Sequence, residues 1–450
     1  MELISPIDAA FLIGESREHP MHVGSMQLFE PPEDAGPGFV RQLHDTLLAE
    51  RELHPTFRKR PAALFGAPQL AWSRDDEVDL EYHLRRWALP HPGRTDDALD
   101  LASRLHSGLL DRHRPLWELH LIEGLADGRF AVYSKMHHAL IDGVSAQRLL
   151  RRTLTSDASS ARARVPWNLP RGQRAPRAGS GLGTVARNLV SAASSGPALL
   201  RVARSALVQQ QLTLPFAAPR TMLNVPIGGA RRCVARSWPL QRLEQVKKAT
   251  GSTVNDVVLA MSAGALRGYL TERNALPDKP LIAMVPISLR SAEDDGDSGG
   301  NKVGAILCNL ATDVADPLER LRVIGESMRR SKQVYAGLSS TQSIALSALM
   351  VSPLALSLLP GLVSMTNPAF NIVISNVPGP REPMFWGGAR LDAAYPMSIP
   401  LDGQAVNITL TTNAGNLDFG IVGCRRSVPQ LSRLLTHLED ALAALEDAAR

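Results

Sequence analysis

The stretch RFAVYSKMHHALIDGVSAQRLLRRTL, residues 129–154, joins two different periodicities. Apolar and polar residues alternate up to Met136, which predicts a β-strand, and the apolar spacing after Gly143 predicts a helix. Between the two lies HHALIDG, residues 137–143. The paired histidines therefore stand at the end of a strand, where proteins commonly present reactive side chains.

A histidine in this position can carry acid–base chemistry, because a neutral imidazole gives and takes a proton near neutral pH. Two plainer interpretations stay open at this point. Adjacent histidines are also ordinary surface or core residues, and Asp142 can cap the helix that follows. Adjacent strand residues point to opposite sides and no third ligand stands nearby, so the pattern disfavours a metal site.

The same two periodicities recur on both sides of this stretch. Helices are predicted for DAAFLIG (8–14), FVRQLHDTLLAE (39–50), ALDLASRLHSGLL (98–110), TVNDVVLAMSAGALRGYL (253–270) and residues 428–449. Strands are predicted for WELHLIEGL (117–125), LIAMVPISLR (281–290), VGAILCNLAT (303–312), FNIVISNVPG (370–379), AVNITLTTN (405–413) and LDFGIVG (417–423). This mixture predicts an α/β (α+β) protein, and its 450 residues are enough for a sizeable core.

Composition divides the chain into three parts. Residues 1–155 mix helices and strands and form the first predicted unit. Residues 156–236 begin with a Pro-, Gly-, Ser- and Arg-rich run that is typical of a linker, and they contain an apolar helix candidate at 184–208. Residues 237–450 repeat the mixture. We therefore expect two α/β halves joined by an arginine-rich linker.

The start of the chain and its cysteines exclude several classes of protein. Glu2 and Asp8 stand where a secretory signal would carry positive charge, so we expect a cytoplasmic protein. Cys233, Cys308 and Cys424 are widely separated, so we expect buried apolar residues and neither a disulfide framework nor a zinc site. The sequence has no phosphate-binding glycine loop after a strand, which disfavours a nucleotide-binding fold.

Positive charge is concentrated in one segment. Residues 158–243 hold 13 arginines, no lysine and no acidic residue, although the whole chain carries only +5. Such a segment could attract a phosphate-bearing ligand or an anionic membrane surface. Nucleic acid is the least favoured partner, because zinc-finger spacing and ribonucleoprotein signatures are absent and aromatic residues make up 5%.

A second segment carries no charge at all. Residues 333–380 are 48 consecutive positions without Asp, Glu, Lys, Arg or His. The length would permit a membrane span. Pro353 and Pro360 interrupt the segment, serines recur and no aromatic belt frames it, so a buried helix or a lipid-facing surface is favoured.

The sequence GDSGG, residues 296–300, matches the G-x-S-x-G pattern of serine hydrolases. A nucleophile elbow needs a buried strand before the serine and a helix after it. Here SAEDD precedes and NKVGAILCN follows. We therefore interpret Ser298 as part of an acidic, glycine-rich hairpin loop.

The HHALIDG motif has the form HHxxxDG, which is shared by the CoA-dependent acyltransferase superfamily. Other segments accompany it in order: SPIDAAFL, PMHVGSMQLFEPP, RPLWELHLIEGL, STVNDVVLA, MVPISLR, SNVPGP and LDFGIVG. Together they resemble the bacterial wax ester synthase/acyl-CoA:diacylglycerol acyltransferase family over nearly the whole chain. The resemblance implies two chloramphenicol-acetyltransferase-like domains with mixed sheets and an active-site tunnel between them.

The same resemblance implies roles for particular residues. It makes His138 the general base and His137 a neighbour that shapes the site, with Asp142 and Gly143 as structural residues. Arg290 matches the residue that pairs with the aspartate, Asn255 one that faces the reaction centre, and Asn376 and Gly379 part of a loop near the interface. Two plainer interpretations remain open: Thr253, Asn255 and Asp256 as helix-start residues, and residues 378–380 as a simple turn.

The resemblance implies transfer of a long acyl group from acyl-CoA to a lipid hydroxyl, without a cofactor or a metal. The acceptor would be diacylglycerol, giving triacylglycerol, or a fatty alcohol, giving a wax ester. Peripheral attachment to a membrane or lipid droplet is expected, and nucleic acid is not a partner. Two alternatives stay open: transfer from a carrier-protein thioester, as in condensation domains, and a non-catalytic protein that binds lipid surfaces.

Overall fold

The computed structural model describes residues 2–64, 67–141, 143–169, 216–288, 303–338, 342–343, 346–347, 350 and 367–450. Within these residues two six-stranded sheets and one three-stranded sheet are covered by helices. The predicted mixed α/β fold is confirmed.

The first large sheet has the strand order β12-β13-β2-β7-β6-β5. Its strands are β2 (His22–Glu30), β5 (Leu84–Gly93), β6 (Trp117–Leu125), β7 (Phe130–His137), β12 (Phe385–Trp386) and β13 (Ala389–Met397). β5 runs parallel to β6, and the other neighbours pair antiparallel. The sheet is therefore mixed, and strand β7 ends at the first histidine of the motif.

The second large sheet has the order β10-β9-β11-β14-β15-β8. Its strands are β8 (Arg231–Pro239), β9 (Ile282–Ser288), β10 (Val303–Asn309), β11 (Ile372–Val377), β14 (Val406–Asn413) and β15 (Asn416–Cys424). β11 runs parallel to both of its neighbours, so this sheet is also mixed. A small sheet consists of β1 (Glu2–Leu3), β3 (Lys59–Leu64) and β4 (Ala67–Arg74).

Helices surround both sheets. In chain order they are α1 (Pro6–Gly14), α2 (Phe39–Ala49), α3 (Leu80–His83), α4 (Thr95–Ser107), α5 (Gly143–Thr153), α6 (Leu240–Thr250), α7 (Val254–Thr271), α8 (Pro317–Ala336) and α9 (Arg433–Ala448). Thr253 and Asp256 form a capping box at the start of α7, as the helix-start interpretation expected.

The apolar core follows this layering. The largest cluster lies between the second sheet and α7, α8 and α9, and another lies between the first sheet and α2 and α5. Helix α4 packs between the first sheet and strands β8 and β15, where Cys233 and Val422 join its apolar face. The three cysteines are free and buried, as expected.

The sheets cross the boundaries predicted at residues 155 and 236. Strand β8 begins at Arg231, inside the predicted linker 156–236, and β12 and β13 come from the predicted second half but join the first sheet. Local alternation identifies a strand but not its partner, and the ion pair of Arg390 with Glu30 spans 360 residues. The apolar helix predicted at 184–208 lies outside the described residues.

The two large sheets meet where β13 lies against β15. Asp418 accepts the N–H of Ala394 over 2.7 Å, and the hydroxyls of Ser237 and Tyr395 lie 3.1 Å apart. A Cβ atom on Gly420 would lie 1.9 Å from the carbonyl oxygen of a β13 residue, Pro396. Only glycine permits this close approach of two backbones.

Some arginines of the arginine-rich segment form ion pairs with other residues of the chain. Arg242 pairs with Glu439 and Glu446 over 2.8 and 2.7 Å, and Arg232 pairs with Asp100. These side chains pair with carboxylates of the chain itself, which offsets part of the positive charge of the segment. Among the described residues, no helix combines the length and the apolar character that crossing a membrane requires.

Candidate active site

A cavity of about 310 Å³ lies between the two large sheets. One wall comes from β2, β7, the end of β13 and helix α5, and the opposite wall comes from β9, β11 and β14. His138 and Gly143 are among its lining residues. The cavity thus brings the motif of the first half against the strands of the second.

His138 follows the last residue of β7 and is partly buried. Its N–H donates to the carbonyl oxygen of Met21 over 2.8 Å, which continues the pairing of β7 with β2. The imidazole stacks on Phe11 of α1, with ring centroids 4.1 Å apart and planes inclined by 22°. Backbone and ring are both supported, and the side chain lines the cavity.

His137 points away from the cavity and is 0% exposed. Its Nδ1 atom accepts the N–H of Ala139 over 3.0 Å, which places the ring proton on Nε2. Nε2 lies 3.3 Å from Oε1 of Glu15. The two adjacent histidines therefore have different surroundings, one at the cavity and one in the interior.

Glu15 is a site residue that the sequence did not reveal. Its carboxylate is buried, and burial alone would raise its pKa. The contact with His137, together with hydrogen bonds from the N–H of Met21 and from Arg112, outweighs burial and holds the pKa of Glu15 below its usual value. Glu15 and Arg112 are 97 residues apart, so local spacing carries no sign of their contact.

Several predicted site residues lie outside the described part of the chain. Asp142 and Arg290, and therefore their predicted ion pair, are among them, and so is Ser298. Strands β9 and β10, which flank residues 289–302, pair antiparallel with Ser288 opposite Val303. They are neighbours in the sheet as the hairpin interpretation of that segment expected.

The predicted substrate-binding residues occupy three different surroundings. Asn255 lies in the first turn of α7, partly exposed, and is not among the described residues that line the cavity. Asn376 stands on β11 between Ser375 and Val377, which both line the cavity, so strand alternation turns its side chain to the other face.

Gly379 has a packing role that the structure reveals. A Cβ atom there would lie 1.9 Å from the carbonyl oxygen of Thr412 and 2.5 Å from the hydroxyl of Thr411. The glycine lets the segment after β11 lie directly against β14. The hydroxyl of Thr411 also donates to the carbonyl oxygen of Val377 over 2.8 Å, which fixes the end of β11 beside the cavity.

Family comparison agrees with this architecture. A model described as the wax ester synthase/diacylglycerol acyltransferase catalytic domain matches residues 4–258, and the WS/DGAT C-terminal domain matches residues 299–446. The chain belongs to the wax ester synthase/diacylglycerol acyltransferase family. A Mycobacterium tuberculosis H37Rv relative of the family, named the probable diacyglycerol O-acyltransferase tgs2, is 59% identical over 452 residues, which cover 100% of this chain and 99% of that protein.

Solved structures show the same fold. The wax ester synthase/diacylglycerol acyltransferase from Marinobacter aquaeolei VT8 is 42% identical, with a TM-score of 0.80 and 99% of each chain covered. The first condensation domain of the calcium-dependent antibiotic synthetase is 18% identical, with a TM-score of 0.60, and the match covers 100% of this chain and 96% of that one. At that identity the second likeness shows the fold alone.

In this wax ester synthase/diacylglycerol acyltransferase chain, a buried polar network lies behind β7, the strand that ends at the histidine pair. Lys135 of β7 donates to the carbonyl oxygens of Leu105 and Gly108 and lies 3.7 Å from Glu118. His106 lies 2.8 Å from the Tyr133 hydroxyl, and burial, with Lys135 nearby, lowers its pKa to about 3. This network lies on the α4 side of β7, whereas Ser134, Met136 and His138 line the cavity on the other side.

A larger surface cleft of about 660 Å³ lies elsewhere, between the start of α7 and helix α8. Its described lining residues include Asp256 and Arg329 but no histidine or cysteine. Across the described residues, no group of three or more His, Cys, Asp or Glu side chains could hold a metal ion. The smaller cavity at His138 is therefore the better candidate for acyl transfer.

Proposed function

We propose that this chain transfers a long-chain acyl group from acyl-CoA to the hydroxyl of a lipid in the cavity at His138. The observation that carries the proposal is the placement of His138 at a strand end, in a cavity walled by both sheets, in a member of this family. Diacylglycerol is the favoured acceptor, because the relative at 59% identity is named for it. A fatty alcohol is the second candidate, because the family name includes wax ester synthase.

The reaction needs one base and no covalent intermediate. The acceptor hydroxyl gives its proton to His138 as its oxygen attacks the thioester carbonyl. The tetrahedral oxyanion then collapses and the carbon–sulfur bond breaks. CoA leaves as a thiolate and takes the proton back from the imidazolium. A thiolate is a good leaving group, so we propose that neither a metal nor another cofactor takes part.

The remaining predicted residues have supporting roles in this proposal. His137 orients the turn that carries His138, and Gly143 begins α5 at the cavity. Asp142 pairs with Arg290, which follows cavity-lining β9 by two residues, so the ion pair would join the two halves. Asn376 and Gly379 support the wall that β11 and β14 form, whereas Asn255 stands at the start of α7, apart from the described lining of the cavity.

We also propose that the protein is cytoplasmic and attaches to the surface of a membrane or lipid droplet. The acceptor and product are insoluble in water, and residues 333–380 carry no charge. Exposed arginines such as Arg162 and Arg164 would each contribute about 1 kcal/mol near an anionic surface. Flotation with anionic vesicles at low and high salt tests this attachment, and protein that ignores the vesicles at low salt would contradict it.

Transfer from a carrier-protein thioester is less favoured than transfer from acyl-CoA. The condensation domain shares the fold at only 18% identity, whereas the 42% and 59% identical relatives are named as lipid acyltransferases. A purely lipid-binding role is disfavoured by the supported histidine pair. Purified protein is given palmitoyl-CoA with hexadecanol and diacylglycerol in competition, and we expect triacylglycerol to exceed wax ester. No ester product with either acceptor would contradict the proposed function.

A further inference from the structure

Glu15 follows helix α1 and lies buried behind the histidine pair. Its side chain is 0% exposed, and a carboxylate in such a place is stable only when partners surround it. Arg112 supplies the opposite charge, because its Nε and Nη2 atoms donate to Oε2 over 3.2 and 2.9 Å. The other oxygen, Oε1, accepts the N–H of Met21 over 3.1 Å. With both oxygens engaged, the carboxylate is held in one orientation.

The first link from Glu15 to His138 runs through His137. Nδ1 of His137 accepts the Ala139 N–H, so the protonated Nε2 faces Glu15 at 3.3 Å. This contact is long and off the ideal direction for a hydrogen bond, so it orients the ring without taking its proton. Because Ala139 is the residue after His138, the oriented ring holds the turn on which His138 stands.

The second link runs through the backbone of Met21. Its N–H donates to Glu15, and its carbonyl oxygen accepts the N–H of His138 over 2.8 Å. Phe11, on the helix that ends next to Glu15, stacks on the imidazole of His138. The end of α1 therefore supports both the backbone and the ring of this residue.

The loop between Glu15 and Met21 is also bound by residues from the second half of the chain. Arg231 of β8 donates to the carbonyl oxygen of Glu18 over 2.7 Å. Nε2 of His19 lies 2.9 Å from Oδ1 of Asp402, which stands shortly before β14. The segment that supports the histidine pair is thus also bound to residues beside the second sheet.

We propose that Glu15, with its charge balanced by Arg112, is a positioning residue that holds the ring of His137 in its Nε2-protonated form and thereby fixes the place of His138 for acyl transfer. The proposal rests on the proposed function. Glu15 is not among the described residues that line the cavity, so it acts through His137 and Met21 rather than on the substrate. Its loss should therefore lower kcat and leave KM nearly unchanged.

The kinetic test compares Glu15→Gln, Arg112→Met and the double variant with the wild type. We expect kcat to fall by about 10- to 100-fold in each single variant, the range found when the hydrogen-bond partner that orients a metal-binding histidine is removed. KM for acyl-CoA should stay within about twofold. The double variant removes both charges together, so its loss should be smaller than the product of the two single losses. Glu15→Asp should recover part of the activity.

The matched control is Glu446→Gln, which removes the carboxylate of another ion pair, 2.7 Å from Arg242 and far along the chain from the histidines. We expect it to keep wild-type kcat. Circular dichroism and thermal unfolding establish that each variant is folded. If Glu15→Gln does not fold, the charge-neutral double variant supplies the test in its place.

A measurement independent of turnover reads the tautomer. In protein with ¹⁵N-labelled histidine, the His137 signals, assigned by their loss in His137→Ala, should report a proton on Nε2 in the wild type. They should change in the folded variant that lacks the Glu15 carboxylate. A proton on Nδ1, signals that do not change, or a folded variant with unchanged kcat would each overturn the proposal. An inactive wild type with the expected tautomer would instead contradict the proposed function alone.

Discussion

The contact of β13 with β15, where the two large sheets meet, contains a carboxyl group that should make stability depend on pH. Asp418 of β15 is 0% exposed and accepts the N–H of Ala394 in β13 over 2.7 Å. Burial outweighs this and the other hydrogen bonds and raises the pKa of Asp418 from 3.8 to about 7. The folded protein therefore binds a proton that the unfolded chain has already released at pH 6.

The difference between the two pKa values gives the magnitude. A pKa difference of about 3 between the folded and unfolded states corresponds to roughly 4 kcal/mol of free energy of unfolding. The sign follows from the extra proton bound by the folded protein. The contribution of Asp418 to the free energy of unfolding is largest below pH 4, falls as the pH rises towards 7, and no longer changes above pH 7. Between pH 5 and pH 8 the wild type should lose about 2 to 3 kcal/mol through Asp418 alone.

The assay is urea unfolding at pH 5 and pH 8 for the wild type and Asp418→Asn. The amide keeps an oxygen for the Ala394 N–H but does not titrate, so the variant should gain about 2 to 3 kcal/mol on the wild type between the two pH values. Asp440→Asn, at a carboxylate that is 67% exposed, is the control and should follow the wild type. Equal pH dependence in the wild type and Asp418→Asn would refute this reasoning.

Three further perturbations test other parts of the structure. Gly420→Ala puts a methyl group against the Pro396 backbone, so denaturant unfolding should show a loss of about 1 to 3 kcal/mol or more, and an unchanged midpoint would contradict the close approach. Ser298→Ala should leave activity unchanged, and mass spectrometry after exposure to acyl-CoA alone should find no acyl group on the protein; a trapped acyl-serine would overturn direct attack. Asp142→Ala should destabilise by about 3 to 5 kcal/mol if the carboxylate is buried against Arg290, and stability equal to the wild type would exclude that pair.

Local elements of the fold could be predicted from the sequence, because their periodicity is contained in a few residues. The strand predicted at 117–125 is β6, Trp117–Leu125, and the helix predicted at 253–270 differs from α7 by one residue at each end. The helix predicted from residue 428 begins only at Arg433, because the segment before it turns, with Gln430 at φ 52°.

Long-range partners could not be predicted in the same way. The pairing of β13 with β2 depends on the approach of two distant segments, and the sequence pattern of each strand does not indicate its partner. The histidine pair was visible because its residues are adjacent, whereas Glu15 and Arg112 meet it only in the folded chain. The sequence therefore pointed to the histidine pair but not to the charged side chains that lie against it.

Acyl transfer by His138→Ala and His137→Ala, measured with palmitoyl-CoA and diacylglycerol under single-turnover conditions, tests the central claim most directly. Loss of a general base is expected to cost about a hundredfold to ten-thousandfold. We expect that loss for the folded His138 variant and a smaller one for the His137 variant, whose ring acts from the interior. Near-normal turnover in folded His138→Ala would contradict the assignment of this cavity as the active site.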